Sequence, residues 1–194
     1  MSPTRLALAL IAIVAVVFAA GCSGDDADEG ATPTTSSSSS VPFDRSFIDA
    51  MVPHHQSAIE MAQAAKEAGL SQSELITVAD DIIESQQAEI DDMQRWREEW
   101  FGSREIDPMG ADALGLSDEA MGMEHDAGEI EDADDVDQAF AAAMIPHHEG
   151  AITMARLALE KAQHDQVKML AEDIIDAQER EIGILEPHAG GHHG

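Results

Sequence analysis

The chain has 194 residues, with 39 Asp and Glu against 10 Lys and Arg and a formal charge of −29. Such a surface repels phosphate backbones, which argues against nucleic acid as a partner, and it attracts cations over long range. One cysteine among these residues leaves no intramolecular disulfide and no thiolate metal cage.

Taken in order, the chain opens with Arg5, an apolar run from Leu6 to Ala20, and then Gly21 and Cys22. This is the pattern of a short positive region, an apolar core and a small-residue processing site, and the run is too short to span a bilayer comfortably. Ala19-Ala20-Gly21-Cys22 resembles a bacterial lipoprotein signal, although Ala19 stands where Leu is commonest. The expectation is that residues 1–21 are removed and Cys22 is lipidated, leaving the protein exported and anchored on the extracytoplasmic face of the membrane. The plainer alternative is a secreted protein with one spare thiol. Residues 22–42 are acidic and rich in Ser and Thr, which reads as a flexible tether. Residues 43–188 suffice for one domain, followed by a His-rich tail over 189–194.

Within that domain Phe43-Asp44 opens a predicted helix, with Asp44 as N-cap and Phe43 stapling onto Ile48. Phe47, Met51, His54, Ala58, Met61, Ala62 and Ala65 then recur at helical steps, and Gly69 is the stop. Pro53 lies inside this run and predicts a bend before the His pair. Ser71-Gln72-Ser73-Glu74 has the form of a capping box, and a second helix follows to about Trp100. Its apolar stripe of Leu75, Val78, Ala79, Ile82, Met93, Trp96 and Trp100 is interrupted by Gln86 and Glu89. Residues 102–134 lose periodicity and read as an acidic link with one short turn near Ser117 to Met121. A third helix is predicted from about Asp137 through Pro146 to Ala162, and a fourth from Asp165 to Glu186, ended by Pro187. The tail from His188 onward reads as disordered by composition.

A duplication organises these elements. Met51-Val52-Pro53-His54-His55-Gln56-Ser57-Ala58-Ile59-Glu60-Met61-Ala62 returns 93 residues later as Met144-Ile145-Pro146-His147-His148-Glu149-Gly150-Ala151-Ile152-Thr153-Met154-Ala155. Ala79, Asp81, Ile82, Ile83, Gln86, Glu89 and Ile90 return as Ala171, Asp173, Ile174, Ile175, Gln178, Glu181 and Ile182. The pattern predicts an all-α, four-helix bundle made of two similar hairpins, 43–101 and 135–187. Counting outward from each hairpin turn puts Met, His, His, Gln and Glu at one level in both halves.

Paired His flanked by Met, occurring twice, points to a metal. Imidazole and thioether without thiolate suit copper, Cu(I) especially, better than zinc or magnesium. Gln86, Glu89, Gln178 and Glu181 would orient the free ring nitrogens or complete the shell. Two auxiliary patches have the same chemistry: Met121, Met123 and His125 in the link, and His188, His192 and His193 at the C-terminus. Met61 and Met154, read by spacing alone, are ordinary core.

The doubled Met-x-Pro-His-His-x-x-Ala-Ile-x-Met-Ala, with its trailing Ile-Ile-x-x-Gln-x-x-Glu-Ile, resembles the bacterial domain-of-unknown-function family 305 over about residues 43–188. The resemblance implies a ferritin-like helical bundle, and copper binding at Met51, His54, His55, Met61, Met144, His147, His148 and Met154. The long acidic link is less typical of that family.

Three readings compete. The first is an exported, membrane-anchored protein that buffers copper or transfers it to or from a partner protein. The second is a bundle in which the His pairs serve packing or partner binding, a homo-oligomer included. The third, a di-iron oxidase of ferritin type, generally needs Glu-x-x-His on two helices, and the chain contains none. No catalytic constellation is recognisable, so no enzyme is expected.

Overall fold

The structure is a computed structural model that describes residues 41–190; the expected signal peptide, Cys22, most of the tether, His192 and His193 lie outside the described residues. Six α-helices follow in order: α1 (Phe43–Ala68), α2 (Ser73–Phe101), α3 (Gly110–Leu114), α4 (Ala127–Glu131), α5 (Val136–Lys161) and α6 (Asp165–Ala189). A single 3-10 turn, Glu119–Met121, lies between α3 and α4, and the described residues contain no strand. The fold is an all-α, ferritin-like four-helix bundle. Hairpins α1–α2 and α5–α6 pack on each other mainly through α1 and α5, with a lighter contact between α2 and α6.

The periodic residues do what amphipathic patterning requires. Phe47, Met51, Ala58, Met61, Ala62 and Ala65 are buried on α1, and Leu75, Val78, Ala79, Ile82 and Met93 on α2. The apolar core divides into two clusters. One contains Phe47, Met51, Met93, Met154, Val167 and Ile174. The other contains Phe140, Met144, Met61, Leu75, Ile82 and Leu185. These are duplication partners exchanged, so each cluster draws on both hairpins. Both helices run without interruption through Pro53 and Pro146, which leave the carbonyls of Asp49 and Ala142 without a helical partner.

The helix ends differ from the sequence expectation in an informative way. Asp44 does not cap its own helix, which starts at Phe43. Its buried carboxylate accepts bonds from the backbone N–H groups of Gln163 and His164, and from His164 Nδ1 at 2.5 Å, at the head of α6. Nor does Ser71-Glu74 form a capping box, because the N-cap position of α2 falls on Gln72 with no side-chain bond. Asp137 of α5 instead accepts from the N–H groups of Ser71 and Gln72 and from the Ser71 hydroxyl. Asp44 and Asp137 stand 93 residues apart, so each hairpin caps the turn of the other. At the C-terminus α6 continues through Pro187 to Ala189. His188 is therefore on the last helical turn, near Glu74, and not in a disordered tail.

The link is more ordered than its composition predicts. It holds α3 and α4 besides the expected turn near Met121, and both short helices pack on α1. That cover buries Ser46 through Val52 on every side of α1, Asp49 included. Asp49 is neutralised by Arg97, whose Nε donates to Oδ1 at 2.8 Å while Nη1 donates to the Ser103 carbonyl at the start of the link.

Candidate metal centre

The two His pairs meet at the middle of the bundle. His54, His55, His147 and His148 are each no more than 2% exposed. Adjacent positions on a helix point about 100° apart, so one ring of each pair faces the opposite hairpin and the other faces its own. His54 and His147 are the facing rings, with centroids 3.8 Å apart and planes inclined by 36°. His55 turns to α2, where its Nε2 lies 2.6 Å from Glu89 Oε2. His148 turns to α6, where its Nε2 lies 2.6 Å from Glu181 Oε2. The level counted from the hairpin turns thus corresponds to real contacts, but through the second His of each pair. His54 bonds instead to the Met121 carbonyl, 2.9 Å from its Nε2.

These partners set the tautomers. A carbonyl or an ionised carboxylate only accepts, so Nε2 of His54, His55 and His148 carries the hydrogen and donates it. Nδ1 is then the bare lone pair in each. All three Nδ1 atoms are buried and have no hydrogen-bond partner among the described residues. Both ring nitrogens of His147, and Oε1 of Gln86 and Gln178, are in the same condition. An unsatisfied buried polar atom costs about 1–3 kcal/mol, so a layer of them in one core calls for ordered water or a ligand.

The electrostatics favour neutral facing rings. Burial, followed by the neighbouring His55, lowers His54 to about 3, against the opposing bond from Met121. Burial, followed by His54, His148 and His55, pushes His147 well below the usual imidazole value, against an opposing contact with the His54 backbone. Only neutral imidazole ligates a metal.

The remaining expected residues fall into two groups. Met51, Met61, Met144 and Met154 are fully buried. Met51 and Met154 lie in one apolar cluster, Met61 and Met144 in the other, so thioethers flank the His layer from both sides. Gln86 and Gln178 are buried with the layer, and Glu89 and Glu181 remain 19% and 14% exposed at its outer edges. The link patch does not form one cluster. Met121 is buried against the core and Met123 half-buried, whereas His125 turns out to pair with Glu129, 2.7 Å away. His188 is at the far end of α6, not in the layer. What the sequence reading missed is the Met121 carbonyl, a backbone group brought in from 67 positions away.

The donor set fits a soft ion better than a hard one. Among the described residues no three His, Asp or Glu side chains group closely enough to hold a metal alone. Thioethers beside imidazoles are donors better suited to copper than to zinc, magnesium or a carboxylate-bridged iron pair.

Residues 44–188 match the family described as Domain of unknown function (DUF305). No curated protein matches the chain. Among solved structures, CopM in its Cu(I)-bound form is 33% identical, with a TM-score of 0.63 over 74% of this chain and 93% of CopM. CopM in its Cu(II)-bound form is 34% identical, with a TM-score of 0.65 over 75% and 95%. A DUF305 fragment from Deinococcus radiodurans is 27% identical, covering 76% of this chain and 95% of its own, at a TM-score of 0.58. A DUF305 protein from Streptomyces coelicolor, considered secreted, covers 78% and 98% at a TM-score of 0.68 and, at 24% identity, speaks for the fold alone. With three quarters of its length in that match and two duplicated hairpins around one His layer, the chain belongs to the DUF305 family.

Proposed function

We propose that this protein binds copper at the His layer between its hairpins and buffers it or passes it on outside the cytoplasmic membrane. The observation that carries the reading is the set of buried Nδ1 lone pairs on His54, His55 and His148, each opposite an Nε2–H already held by an acceptor. Metal-ligating His commonly have their second nitrogen fixed in this way. Met51, Met61, Met144 and Met154 supply thioether donors on either side, and CopM, solved with Cu(I), Cu(II) and silver, offers the parallel. Glu89 and Glu181 orient His55 and His148 and, being partly exposed, connect the layer to an acidic surface that concentrates cations. The role in this reading is binding rather than turnover. Export and a lipid anchor at Cys22 complete the proposal, and among the described residues no helix is long and apolar enough to cross a membrane.

The test is a Cu(I) titration of the purified protein, with metal content and thermal unfolding read together. Copper that binds only the native state adds RT ln(1 + [L]/Kd), about 2.7 kcal/mol at a hundredfold excess over Kd. The gain should vanish when His54, His55, His147 and His148 are all replaced by Ala, provided circular dichroism shows that variant helical. A helical variant that is stabilised as fully as wild type would make the layer a structural or partner-binding feature. For the anchor, Cys22→Ser should release the protein from the membrane fraction.

A further inference from the structure

The link packs on α1 and α5, and at Met121 it touches the His layer. Its Met121 carbonyl accepts from His54 Nε2. Two glycines allow this approach. A Cβ on Gly150 of α5 would overlap the Met121 carbonyl, and a Cβ on Gly122 would overlap the Pro146 carbonyl. Gly122 also has φ +66°, a conformation L side chains rarely adopt. The link is thus pressed into α5 at backbone-to-backbone contact, beside the Pro-His-His of the second repeat.

A duplicated layer has a twofold mate for each contact, and the outer contacts obey this: Glu89 on His55, Glu181 on His148, both at 2.6 Å. The inner contacts do not. His147 is the counterpart of His54, yet neither of its nitrogens makes a well-formed hydrogen bond among the described residues, and only the His54 backbone comes near its ring as an acceptor. The link occurs once, so it can fix only one of the two facing rings.

We infer that the Met121 carbonyl is a positioning group that presets His54 with Nε2 protonated and Nδ1 bare, and leaves His147 uncommitted, so the two halves of the layer take metal unequally. As to metal, this rests on the proposed copper function; as to the tautomers, it stands without it. His54 meets the ion in the ligating form. His147 has no fixed tautomer and is set by the ion on binding. Preorganisation of this kind strengthens binding by removing an ordering cost.

The experiment is nitrogen-15 NMR of the His side chains in the full chain, first metal-free and then with Ag(I) as probe. Metal-free His54, His55 and His148 should each show a single Nε2–H tautomer, and His147 a mixture. Ag(I) should collapse the His147 mixture while leaving Nε2–H of His54 in place. Gly150→Ala should displace the Met121 carbonyl, give His54 the same mixture as His147, and weaken Ag(I) binding roughly tenfold, about 1.4 kcal/mol. Met121→Ala keeps the carbonyl and should keep the His54 tautomer. If Gly150→Ala does not fold, the wild-type contrast between His54 and His147 decides alone. Equal tautomers at those two rings in the wild type, or loss of the His54 preference in Met121→Ala, would overturn the inference. The expected metal-free spectrum without Ag(I) uptake would sink the copper reading and uphold the positioning contact.

Discussion

The two hairpins descend from one repeat, and the places where they differ are the places the link touches. On the outer side they are alike: His55 and His148 each donate to a glutamate at 2.6 Å. On the link side they diverge. Asp49 and Arg97 form a buried ion pair in the first hairpin, while the corresponding positions of the second hold Ala142 and Ala189. A single inserted segment, packing on α1 more than on α5, has thus given the first half a charged core and a held His54. The lesson is that duplication fixes the ligand layer, and one asymmetric connection is enough to make its halves distinct.

The largest effect should come from removing the charge pair confined to the first hairpin. Arg97→Ala leaves buried Asp49 with only the longer contact to Arg45, 3.4 Å away, so the loss should lie near the low end, about 3 kcal/mol, of what truncating one member of a buried pair costs. Urea denaturation checks it. A loss under 1 kcal/mol would mean that Asp49 regains water by displacement of the link.

Acid should act on the facing rings that join the hairpins. His54 has a folded-state pKa of about 3 against 6.5 unfolded. The unfolded chain therefore binds the extra proton between these values, and stability falls as pH drops from 6.5 toward 3. From pH 7 to pH 5 the loss from His54 alone is about 2 kcal/mol, and His147, shifted in the same direction, adds to it. Denaturation at the two pH values measures this. Replacing both rings by Gln should flatten the dependence.

Reciprocal caps offer a finer comparison. Asp44 is buried and holds two backbone N–H groups and His164, whereas Asp137 is only half-buried. Asp44→Ala should cost about 2 kcal/mol and Asp137→Ala about 1 kcal/mol, from the usual worth of caps. For Asp137, burial raises the carboxyl but is outweighed by the Ser71 hydroxyl and the N–H groups of Ser71 and Gln72, so it is lowered overall. Its contribution is present above the ordinary carboxyl range and disappears as pH falls through the lowered value. The smallest effect concerns the C-terminus. Deleting residues 191–194 removes His192 and His193 from outside the described bundle, and the melting gain on copper binding should be unchanged.

Much of this was legible in the sequence because the duplication doubled every signal. The four helices, the inward His pairs and the level of Gln86, Glu89, Gln178 and Glu181 follow from 3.6-residue periodicity and a constant rise. Tertiary choices were not legible. Ser71-Glu74 has the local form of a cap, yet Asp137 supplies a stronger acceptor from another helix. The order of the link escaped notice because its short helices are too brief to show a period and are held by packing on α1. Its key contribution to the site is the carbonyl of Met121, and a backbone oxygen leaves no trace in residue type. Pro187 is expected to stop the last helix, yet α6 runs on to Ala189.

The most direct test of the proposed copper centre is to add Cu(I) to protein labelled with nitrogen-15 at histidine and to see which nitrogens respond. The expected result is that Nδ1 of His54, His55 and His148 shifts on binding while their Nε2–H signals persist, with His125 and His188 unaffected. Copper bound with all four layer histidines unchanged would contradict it.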